Sequence, residues 1–407
     1  MRVLWLAVVP ALYDESKVGG WIGALEQIVC NYNKNIELGI MFEHEDQIFK
    51  INKDGVDYYP IHINKRKVYK LNPYKKWKKL RNKMLRVIED FKPDIIHCFG
   101  SEWPYGLITN DIEIPVVLHM QGFLNTYIEM ESLVFDENDA RYVYGLRFDM
   151  ILKWLVNRKE NAIKMQMERH IMRINRYYMG RTKWDSNIVK YYSPDSIYYY
   201  CPEAIRPQIY NASKTWNYIR RQRMSIVTIS QANSLKGNEI ILRTAKFLKE
   251  VLKVDFEWKV AGKRNIFQLF EKKTKINHRD VNIKLLGMID ANNVVEQLVD
   301  SDIYVHPAVI DNSPNSLCEA QLIGCPVVAA NVGGIPQLVD DGESGILYPY
   351  NEFQTLAYIL VDLYSDKELM IKLSKNEYTI SHKRHSPEFI SNVLEDIYTD
   401  VIVKSNI

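Results

Sequence analysis

The stretch that decides the fold reads Tyr304-Val-His-Pro-Ala-Val-Ile-Asp311-Asn-Ser-Pro-Asn-Ser-Leu-Cys-Glu319-Ala-Gln-Leu-Ile-Gly-Cys-Pro-Val-Val-Ala-Ala330. An apolar run ends at the His-Pro pair, a polar loop follows, and the Pro-Asn pair opens a helical pattern. A second apolar run, which ends at Ala330, comes soon after the glycine that closes the helix. Strand, helix and strand in this order predict a parallel βαβ unit.

The same alternation of short apolar runs and longer helical patterns extends along the chain. Strands are predicted at 3–9, 36–42, 57–63, 94–99, 115–120, 174–179, 197–201, 224–230, 255–261, 282–286, 302–306 and 325–330. Two doubly wound α/β domains follow from this pattern. Pro202 and the polar stretch after it interrupt the pattern, so the predicted domains are 1–205 and 206–385. A long closing helix is predicted over 386–407, where Ser-Pro supplies a cap and a first helical residue.

The composition is that of a folded protein. Of 407 residues, 47% are hydrophobic and 25% are charged, which excludes disordered and fibrous classes. Lys and Arg number 53 against 50 Asp and Glu, so the net charge of +3 gives no argument for a nucleic-acid partner. Five cysteines without a CxxC pair indicate buried thiols in a reducing compartment. No apolar run is long enough for a signal or membrane segment, so we expect a cytoplasmic protein, soluble or peripheral.

Two glycines and two lysines are candidates for binding phosphate. Gly19 and Gly20 precede a helical pattern, and backbone N–H groups at a helix start attract anions; a tight turn is the alternative. Lys236 and Lys263 each follow a predicted strand, where open α/β sheets bind ligands; a solvated lysine is the alternative. A dinucleotide-binding glycine motif matches poorly because Val18 occupies the first glycine position, which makes an oxidoreductase a minor alternative.

Two carboxylates in the opening stretch are candidates for binding hydroxyl groups. Asp311 lies in the loop after the strand, and Glu319 lies eight positions later within the helix. This spacing allows both acids to face one crevice, where a carboxylate can accept the hydrogen bonds of both ribose hydroxyls. For Glu319 the alternative is helix capping or compensation of the helix dipole.

Together these segments resemble the retaining glycosyltransferases of family 4, which have the GT-B fold. The resemblance covers almost the whole chain and rests mainly on the block 304–339. It is supported by further segments, which are Gly19-Gly20, Pro93-Asp-Ile-Ile-His97, Val116-Val-Leu-His119, Lys236-Gly237 and Asp341 to Pro349. The stretch 311–320 and Gly180-Arg-Thr-Lys-Trp-Asp185 look like bacterial enzymes that build capsular or exopolysaccharide repeat units.

The resemblance implies a role for each candidate residue. Gly19 and Gly20 lie against the donor diphosphate, and Lys236 binds phosphate. Glu319 holds the ribose, and Asp311, where the family usually has Glu, contacts hydroxyls of the donor sugar. The remaining predicted site residues are His119, which lies against the donor sugar near the reaction centre, and the donor-binding Lys263, Asn315, Ser316 and Leu317.

One position departs from the family in a way that concerns charge. Many members carry an arginine about five residues before the lysine, and this chain has Gln231 there. One positive charge on the leaving diphosphate is therefore missing. Lys263 or Arg264 is the candidate to replace it.

The expected protein is a GT-B enzyme with an N-terminal acceptor-binding domain, a C-terminal nucleotide-sugar-binding domain and a substrate cleft between them. The closing helix is expected to return to the first domain. The reaction is transfer of a hexose-type sugar from a UDP- or GDP-linked donor to a hydroxyl of a growing, lipid-linked glycan, with retention. We expect no metal and no cofactor, because helix dipoles and Lys236 stabilise the leaving diphosphate. A nucleotide-sugar epimerase of the same fold and a non-catalytic donor-binding scaffold stay open as alternatives.

Residues 64–86 carry eleven basic side chains on a pattern with helical spacing. The apolar side chains of this pattern are expected to pack on the first sheet; they are Trp77, Leu80, Met84, Ile88 and Phe91. The basic face is a candidate for contact with an anionic membrane, where each charge contributes ~1 kcal/mol; a solvated face is the alternative. Asp300-Ser-Asp302 mimics a metal-binding DxD motif but is predicted to lie in a helix-to-strand turn, without a metal.

Overall fold

The computed structural model describes residues 1–13, 20–46, 48–63, 73–145, 148–230 and 233–406. The predictions for Gly19, Gln231 and the first part of the basic segment, 64–72, lie outside these ranges.

The strands, in chain order, are β1 Arg2–Leu6, β2 Glu37–Glu43, β3 Ile51–Lys53, β4 Val56–Ile61, β5 Ile95–Phe99, β6 Val116–His119, β7 Tyr177–Gly180, β8 Ile197–Tyr200, β9 Met224–Ile229, β10 Phe256–Ala261, β11 Ile283–Gly287, β12 Ile303–His306, β13 Val327–Ala330 and β14 Ile346–Tyr348. Every strand predicted from the sequence is present. The two strands absent from the predicted set, β3 and β14, have only three residues each, which is too short for a periodic signal.

The α-helices, in chain order, are α1 Gly20–Tyr32, α2 Pro73–Phe91, α3 Leu124–Val134, α4 Glu137–Tyr144, α5 Phe148–Ile174, α6 Lys183–Tyr192, α7 Pro207–Tyr210, α8 Asn238–Glu250, α9 Arg264–Thr274, α10 Ala291–Val299, α11 Asn315–Ile323, α12 Ile335–Leu338, α13 Phe353–Ser365, α14 Lys367–Arg384 and α15 Pro387–Ser405. Short 3₁₀ turns cover Pro104–Asp111, Ser234–Lys236 and His278–Val281. Within the described part of the chain, no helix combines the length and apolar character needed to span a membrane.

The chain divides into two compact units. Unit 1 consists of residues 1–128, 148–204 and 385–407, and unit 2 consists of residues 129–147 and 205–384. The division near 205 lies where the sequence analysis placed a boundary, but the segment 129–147, assigned there to the first domain, groups with unit 2.

Hydrogen bonds and ion pairs explain why the segment 129–147 belongs to unit 2. The carboxylate of Glu131 accepts a hydrogen bond from the Ser234 hydroxyl at 2.7 Å. Lys273 donates to the carbonyl of Val134 at 2.6 Å and lies 3.0 Å from the Asp139 carboxylate. No periodic pattern in the sequence predicts these contacts, because each joins residues more than a hundred positions apart.

Unit 1 is built on an eight-stranded sheet with the order β3-β4-β2-β1-β5-β6-β7-β8. All neighbouring strands run parallel except the β3–β4 pair. Alternation along β1 sends Val3 and Trp5 to the face covered by α1 and α15, and Leu4 and Leu6 to the face covered by α2. The closing helix therefore packs within unit 1, and the apolar side of α2 is buried as its spacing predicts.

Unit 2 is built on a six-stranded sheet with the order β11-β10-β9-β12-β13-β14, in which all pairs are parallel. All residues of β12 and β13 are buried, as expected for central strands covered on both faces. The carboxyl ends of β9, β10 and β12 lie along one edge of this sheet, which is where open α/β sheets bind ligands.

Candidate functional site

The predicted phosphate-binding lysine of unit 2 follows β9 on a short 3₁₀ turn. Gly237 comes next with φ of 71°, a left-handed conformation, and a Cβ there would lie 1.8 Å from the carbonyl oxygen of Pro307. Only glycine permits this approach, because the loop after β12 packs directly against the turn. Lys236 is therefore held beside the end of β12, where the predicted acid Asp311 follows.

Asp311 and Lys236 form an ion pair in unit 2. The same carboxylate oxygen of Asp311 accepts a hydrogen bond from Nε2 of His306 at 3.2 Å, and Nδ1 of His306 lies 3.1 Å from the hydroxyl of Tyr304. Burial acts to raise the pKa of Asp311, but the charge of Lys236 and the bond with His306 outweigh it, so the pKa of Asp311 lies below its usual range. Asp311 is thus an ionised acceptor, and Lys236 is already engaged with it.

The backbone of Asp311 is fixed by the turn after β13. Gly333 has φ of 54°, and a Cβ on it would lie 2.0 Å from the carbonyl oxygen of Asp311. The next residue, Gly334, donates its N–H to that oxygen at 2.9 Å. Gly333 and Gly334, within the block 304–339, therefore position an acid of the candidate site.

Glu319 lies on α11, and its side chain is buried. One of its oxygens, Oε1, accepts hydrogen bonds from Nε of Arg206 at 2.9 Å and from Nη2 at 2.5 Å. Burial raises the pKa of the Glu319 carboxyl, and Arg206 opposes that shift. Within the described residues, Glu319 makes no capping bond to the helix, and its Oε2 has no hydrogen-bond partner. Oε2 is thus available to a hydroxyl group, and the ribose-binding role of Glu319 stays a prediction.

The remaining predicted donor-binding residues of unit 2 lie at the start of α11 and after β10. Asn315 and Ser316 open α11, whose first amides have no partner inside the helix and whose cap residue supplies no side-chain bond. The amide of Leu317 already donates to the carbonyl of Pro314 at 3.0 Å, and its side chain is buried. Lys263 is exposed directly before α9, at the end of β10, and it lines a small recess with Ser230.

In unit 1 the predicted His119 ends β6, and its side chain is 1% exposed. Its ring lies 5.1 Å from the ring of Trp21 on α1, which begins at Gly20 with φ of 53°. Nδ1 of His119 is 3.1 Å from Nε2 of His97 on β5. His119 is therefore the end of a buried polar chain that starts deeper in the sheet.

This chain of polar groups fixes where each proton lies. The indole N–H of Trp5 can only donate, and it donates to the hydroxyl oxygen of Tyr398 at 3.1 Å. The hydroxyl proton of Tyr398 has one acceptor among the described residues, Nδ1 of His97 at 2.6 Å. Neutral His97 then carries its proton on Nε2 and donates to Nδ1 of His119. We therefore assign neutral His119 a proton on Nε2, which makes it a hydrogen-bond donor and not a base.

Both histidines are neutral at physiological pH. Burial lowers the pKa of His97 to about 3. Burial, the neighbouring His97 and the charge of Arg181 lower the pKa of His119 well below its usual range. In the described part of the chain, Nε2 of His119 is buried without a partner, and an unpaired buried donor costs about 1–3 kcal/mol.

The DxD-like pair before β12 has a structural role. Asp302 accepts hydrogen bonds from the amide of Ser225 and from Arg221, each at 2.7 Å. Asp300 caps the end of α10, so the pair lies in the predicted helix-to-strand turn. In the ranges that the structure covers, no group of three His, Cys, Asp or Glu side chains is arranged to hold a metal ion.

Arg206, Tyr398 and Arg181 are not among the site residues predicted from the sequence. Arg206 and Glu319 are separated by 113 positions, and Tyr398 and His97 by 301. Arg181 alone carried a local signal, because it directly follows a predicted strand at the ligand-binding edge.

Comparisons with known proteins agree with this architecture. Residues 223–366, all in unit 2, match the family model described as glycosyl transferases group 1. Over 150 residues the chain is 28% identical to the amylovoran biosynthesis glycosyltransferase AmsK of Erwinia amylovora, an alignment that covers 35% of this chain and 36% of that protein. The chain thus spans about a third of the length of this curated relative.

Solved structures match over nearly the full length. Sucrose-phosphate synthase from Thermosynechococcus elongatus superposes with a TM-score of 0.72 at 12% identity and covers 99% of both chains. Anabaena HepE in complex with UDP-glucose superposes with a TM-score of 0.67 at 15% identity, covering 98% of this chain and 100% of that chain. The fold is that of the GT-B glycosyltransferases, so the prediction of two doubly wound, Rossmann-like domains is confirmed.

Proposed function

We propose that the protein is a retaining glycosyltransferase of family 4 that acts in the synthesis of a bacterial exopolysaccharide or capsule. It transfers a hexose-type sugar from a UDP- or GDP-linked donor to a hydroxyl of a lipid-linked glycan. The match of 223–366 to glycosyl transferases group 1 and the likeness to an amylovoran biosynthesis glycosyltransferase support the reaction class. The UDP-glucose bound to Anabaena HepE supports a nucleotide-sugar donor.

The observation that carries the proposal is the buried carboxylate of Glu319 on α11. Its Oε1 is held by Arg206, and its Oε2 has no hydrogen-bond partner within the described residues. A carboxylate of this kind suits two adjacent hydroxyls, such as those of a ribose. Burial raises the pKa of Glu319, and the ion pair with Arg206 opposes that shift by favouring the charged carboxylate.

The groups of unit 2 suggest how a leaving diphosphate is stabilised. Lys236 supplies a positive charge, and the first amides of α11 supply N–H groups and the positive end of the helix dipole. Such preorganised donors stabilise charge as it develops on a leaving group, without a metal. Asp311 is ionised and takes hydrogen bonds from sugar hydroxyls, exchanging its contact with Lys236 as the lysine moves to the phosphate.

His119 in unit 1 has a complementary role in the proposal. With its proton on Nε2 it donates a hydrogen bond to an oxygen of the donor sugar. A neutral donor does not take a proton from the acceptor hydroxyl. The proposed mechanism is therefore the front-face route, in which the departing diphosphate assists deprotonation of the acceptor.

Contact with an anionic membrane is proposed through the basic segment 64–86, since a lipid-linked acceptor lies at such a surface. In the described part of this segment, Lys76 lies 2.6 Å from Glu43 and Arg81 lies 2.6 Å from Asp111. These two charges are partly compensated within unit 1. The membrane contribution of the segment therefore rests on its other basic side chains.

The proposed function is tested by nucleotide binding and turnover. A thermal-shift panel of UDP, GDP, ADP and dTDP should show stabilisation by one of them, ~2.7 kcal/mol at 100 times its dissociation constant. The matching nucleotide sugar should then be consumed with a glycan acceptor, in EDTA, with the anomeric configuration retained. Isomerised sugar without an acceptor would identify an epimerase, and binding without turnover would identify a scaffold.

A further inference from the structure

Three polar side chains lie at the carboxyl ends of three neighbouring strands of the unit 1 sheet. Glu102 follows β5, His119 ends β6 and Arg181 follows β7, and these three strands are neighbours in the sheet. Each side chain has at least one buried polar atom without a hydrogen-bond partner, within the ranges that the structure describes. Buried polar groups in native proteins are nearly always hydrogen-bonded, so such a group calls for an explanation.

Arg181 is the most informative of the three because its side chain is 4% exposed. Its Nη1 lies 3.2 Å from the carboxylate of Glu203, and its guanidinium carbon lies 4.2 Å from the centre of the Trp21 ring. In the part of the chain that the structure describes, Nε and Nη2 of Arg181 have no hydrogen-bond partner. These two nitrogens form the fork of donors with which arginine binds a pair of oxygens.

Glu102 provides an acceptor beside these donors. Its carboxylate folds back over the end of β5, so closely that a Cβ on Gly100 would lie 2.4 Å from Oε2. Among the described residues, Oε2 of Glu102 is buried without a partner. His119 and Arg181 both lie against the ring of Trp21, at 5.1 Å and 4.2 Å from its centre. Burial raises the pKa of Glu102 to about 7, and the charge of Arg181 opposes that shift.

The balance of charge and hydrogen-bonding capacity decides what ligand fits. The positive charge of Arg181 is already paired with Glu203, so a phosphate would satisfy the donors but would face two carboxyl groups, Glu203 and Glu102. A hydroxyl group can both donate and accept, so adjacent hydroxyls satisfy the arginine fork, the N–H of His119 and the oxygen of Glu102 together. This pattern favours a neutral polyol over an anion.

We propose that Arg181, Glu102 and His119 form a sugar-hydroxyl binding site within unit 1. The proposal deepens the proposed function, on which it rests, by adding Arg181 and Glu102 to the residues that recognise a sugar. The sugar belongs either to the nucleotide-linked donor or to the acceptor glycan. Both sources present the same hydroxyl chemistry to the site.

The test measures sugar binding directly and needs no turnover. Saturation-transfer NMR is recorded with D-glucose, D-galactose, D-mannose and N-acetyl-D-glucosamine on the full chain and on variants. At least one sugar should show transfer to the wild-type protein, and Arg181→Gln and Glu102→Gln should each weaken its binding by about ten-fold or more. Arg181→Lys, which keeps the charge beside Glu203, should lose binding similarly because lysine lacks the fork.

Arg176→Gln is the matched control, because Arg176 is an exposed arginine just before β7, at the opposite edge of the sheet. Circular dichroism and thermal melting verify that each variant is folded. No transfer from any sugar, or equal transfer in the folded variants, would overturn the proposal. If the wild-type protein broadens the inorganic phosphate signal and Arg181→Gln does not, the site binds an anion. That result would also overturn the proposal.

Competition separates the two sources of the sugar and keeps the proposal distinct from the proposed function. If UDP-glucose or GDP-mannose displaces the free sugar while UDP and GDP do not, the site holds the donor sugar. If none of them displaces it, the site holds an acceptor sugar. Nucleotide binding is measured in the same samples, so its absence would contradict the proposed function without deciding the sugar site.

Discussion

Replacing Tyr398 with Phe removes one oxygen from the centre of the polar chain that ends at His119. The Tyr398 hydroxyl is fully buried, accepts from Trp5 at 3.1 Å and faces His97 at 2.6 Å. The phenyl ring occupies the same space, so no large cavity forms. Two buried groups lose their partner, at a cost of about 1–3 kcal/mol for each. We expect the free energy of unfolding to fall by an amount in this range or somewhat above it.

The more specific consequence concerns the tautomer of His119. In the wild type the Tyr398 hydroxyl holds the proton of His97 on Nε2, and this in turn holds the proton of His119 on Nε2. Without the hydroxyl, the preference of both histidines for the Nε2 tautomer loses about one hydrogen bond. This is worth roughly 1–1.5 kcal/mol, or about a ten-fold change in the ratio of the two tautomers. A measurable fraction of His119 should then carry its proton on Nδ1.

Two-bond ¹⁵N–¹H correlation spectra of protein labelled at histidine measure this distribution, with His97→Gln and His119→Gln used for assignment. The matched control is Tyr199→Phe, which removes a hydroxyl bonded at 2.5 Å to Asp400 on the same helix α15 but leaves the polar chain intact. A wild-type His119 protonated on Nδ1, a charged His119 at pH 7, or an unchanged tautomer in Tyr398→Phe would refute the assignment.

Three further predictions address the rest of the molecule. Glu319→Gln should weaken nucleoside diphosphate binding by ~1.5–3 kcal/mol in titration calorimetry. The control Glu296→Gln, on the exposed face of α10, should leave the affinity unchanged. Equal affinity in both variants would make Glu319 a purely structural residue. Changing Lys75, Lys76, Lys78 and Lys79 to Gln should weaken binding to anionic vesicles, measured by sedimentation, by ~3 kcal/mol at most, because Lys76 is already paired with Glu43. The loss should be smaller with added salt, and unchanged binding at low salt would leave an ordinary solvated face. Glu377 is fully buried, neither of its carboxyl oxygens has a hydrogen-bond partner among the described residues, and burial raises its pKa well above the usual range. Above about pH 4.5 the unfolded chain alone ionises at this position, so stability falls as pH rises from there. Glu377→Gln should therefore raise the melting temperature more at pH 8 than at pH 5, and an equal gain at both would contradict a neutral Glu377.

The fold could be predicted because its signals are local. The central parallel strands appear in the sequence as short apolar runs, and several helix starts carry a cap or a proline, as at Ser386 and Pro387. The short edge strand β3 and the membership of 129–147 in unit 2 could not be read this way. The first is too short for periodicity, and the second depends on contacts such as that of Lys273 with Asp139.

The candidate site of unit 2 was predictable for a related reason. Lys236 and Asp311 each follow a strand of the same sheet, and parallel strands bring their carboxyl ends to one edge. Spacing alone thus places the two residues near each other, and the structure pairs them directly. What spacing could not supply was Arg206, whose partner Glu319 comes from a distant helix.

The two units differ in whether the polar groups of their candidate sites are paired, and this difference affects how each unit binds a ligand. In unit 2 the candidate groups are paired with one another, Lys236 with Asp311 and Arg206 with Glu319, so a bound nucleotide must share or exchange existing ion pairs. In unit 1, within the described residues, Nε2 of His119 and two nitrogens of Arg181 have no partner, so a ligand would add hydrogen bonds without breaking any. Binding in unit 2 should therefore depend more strongly on charge, and binding in unit 1 more strongly on the geometry of hydroxyl groups.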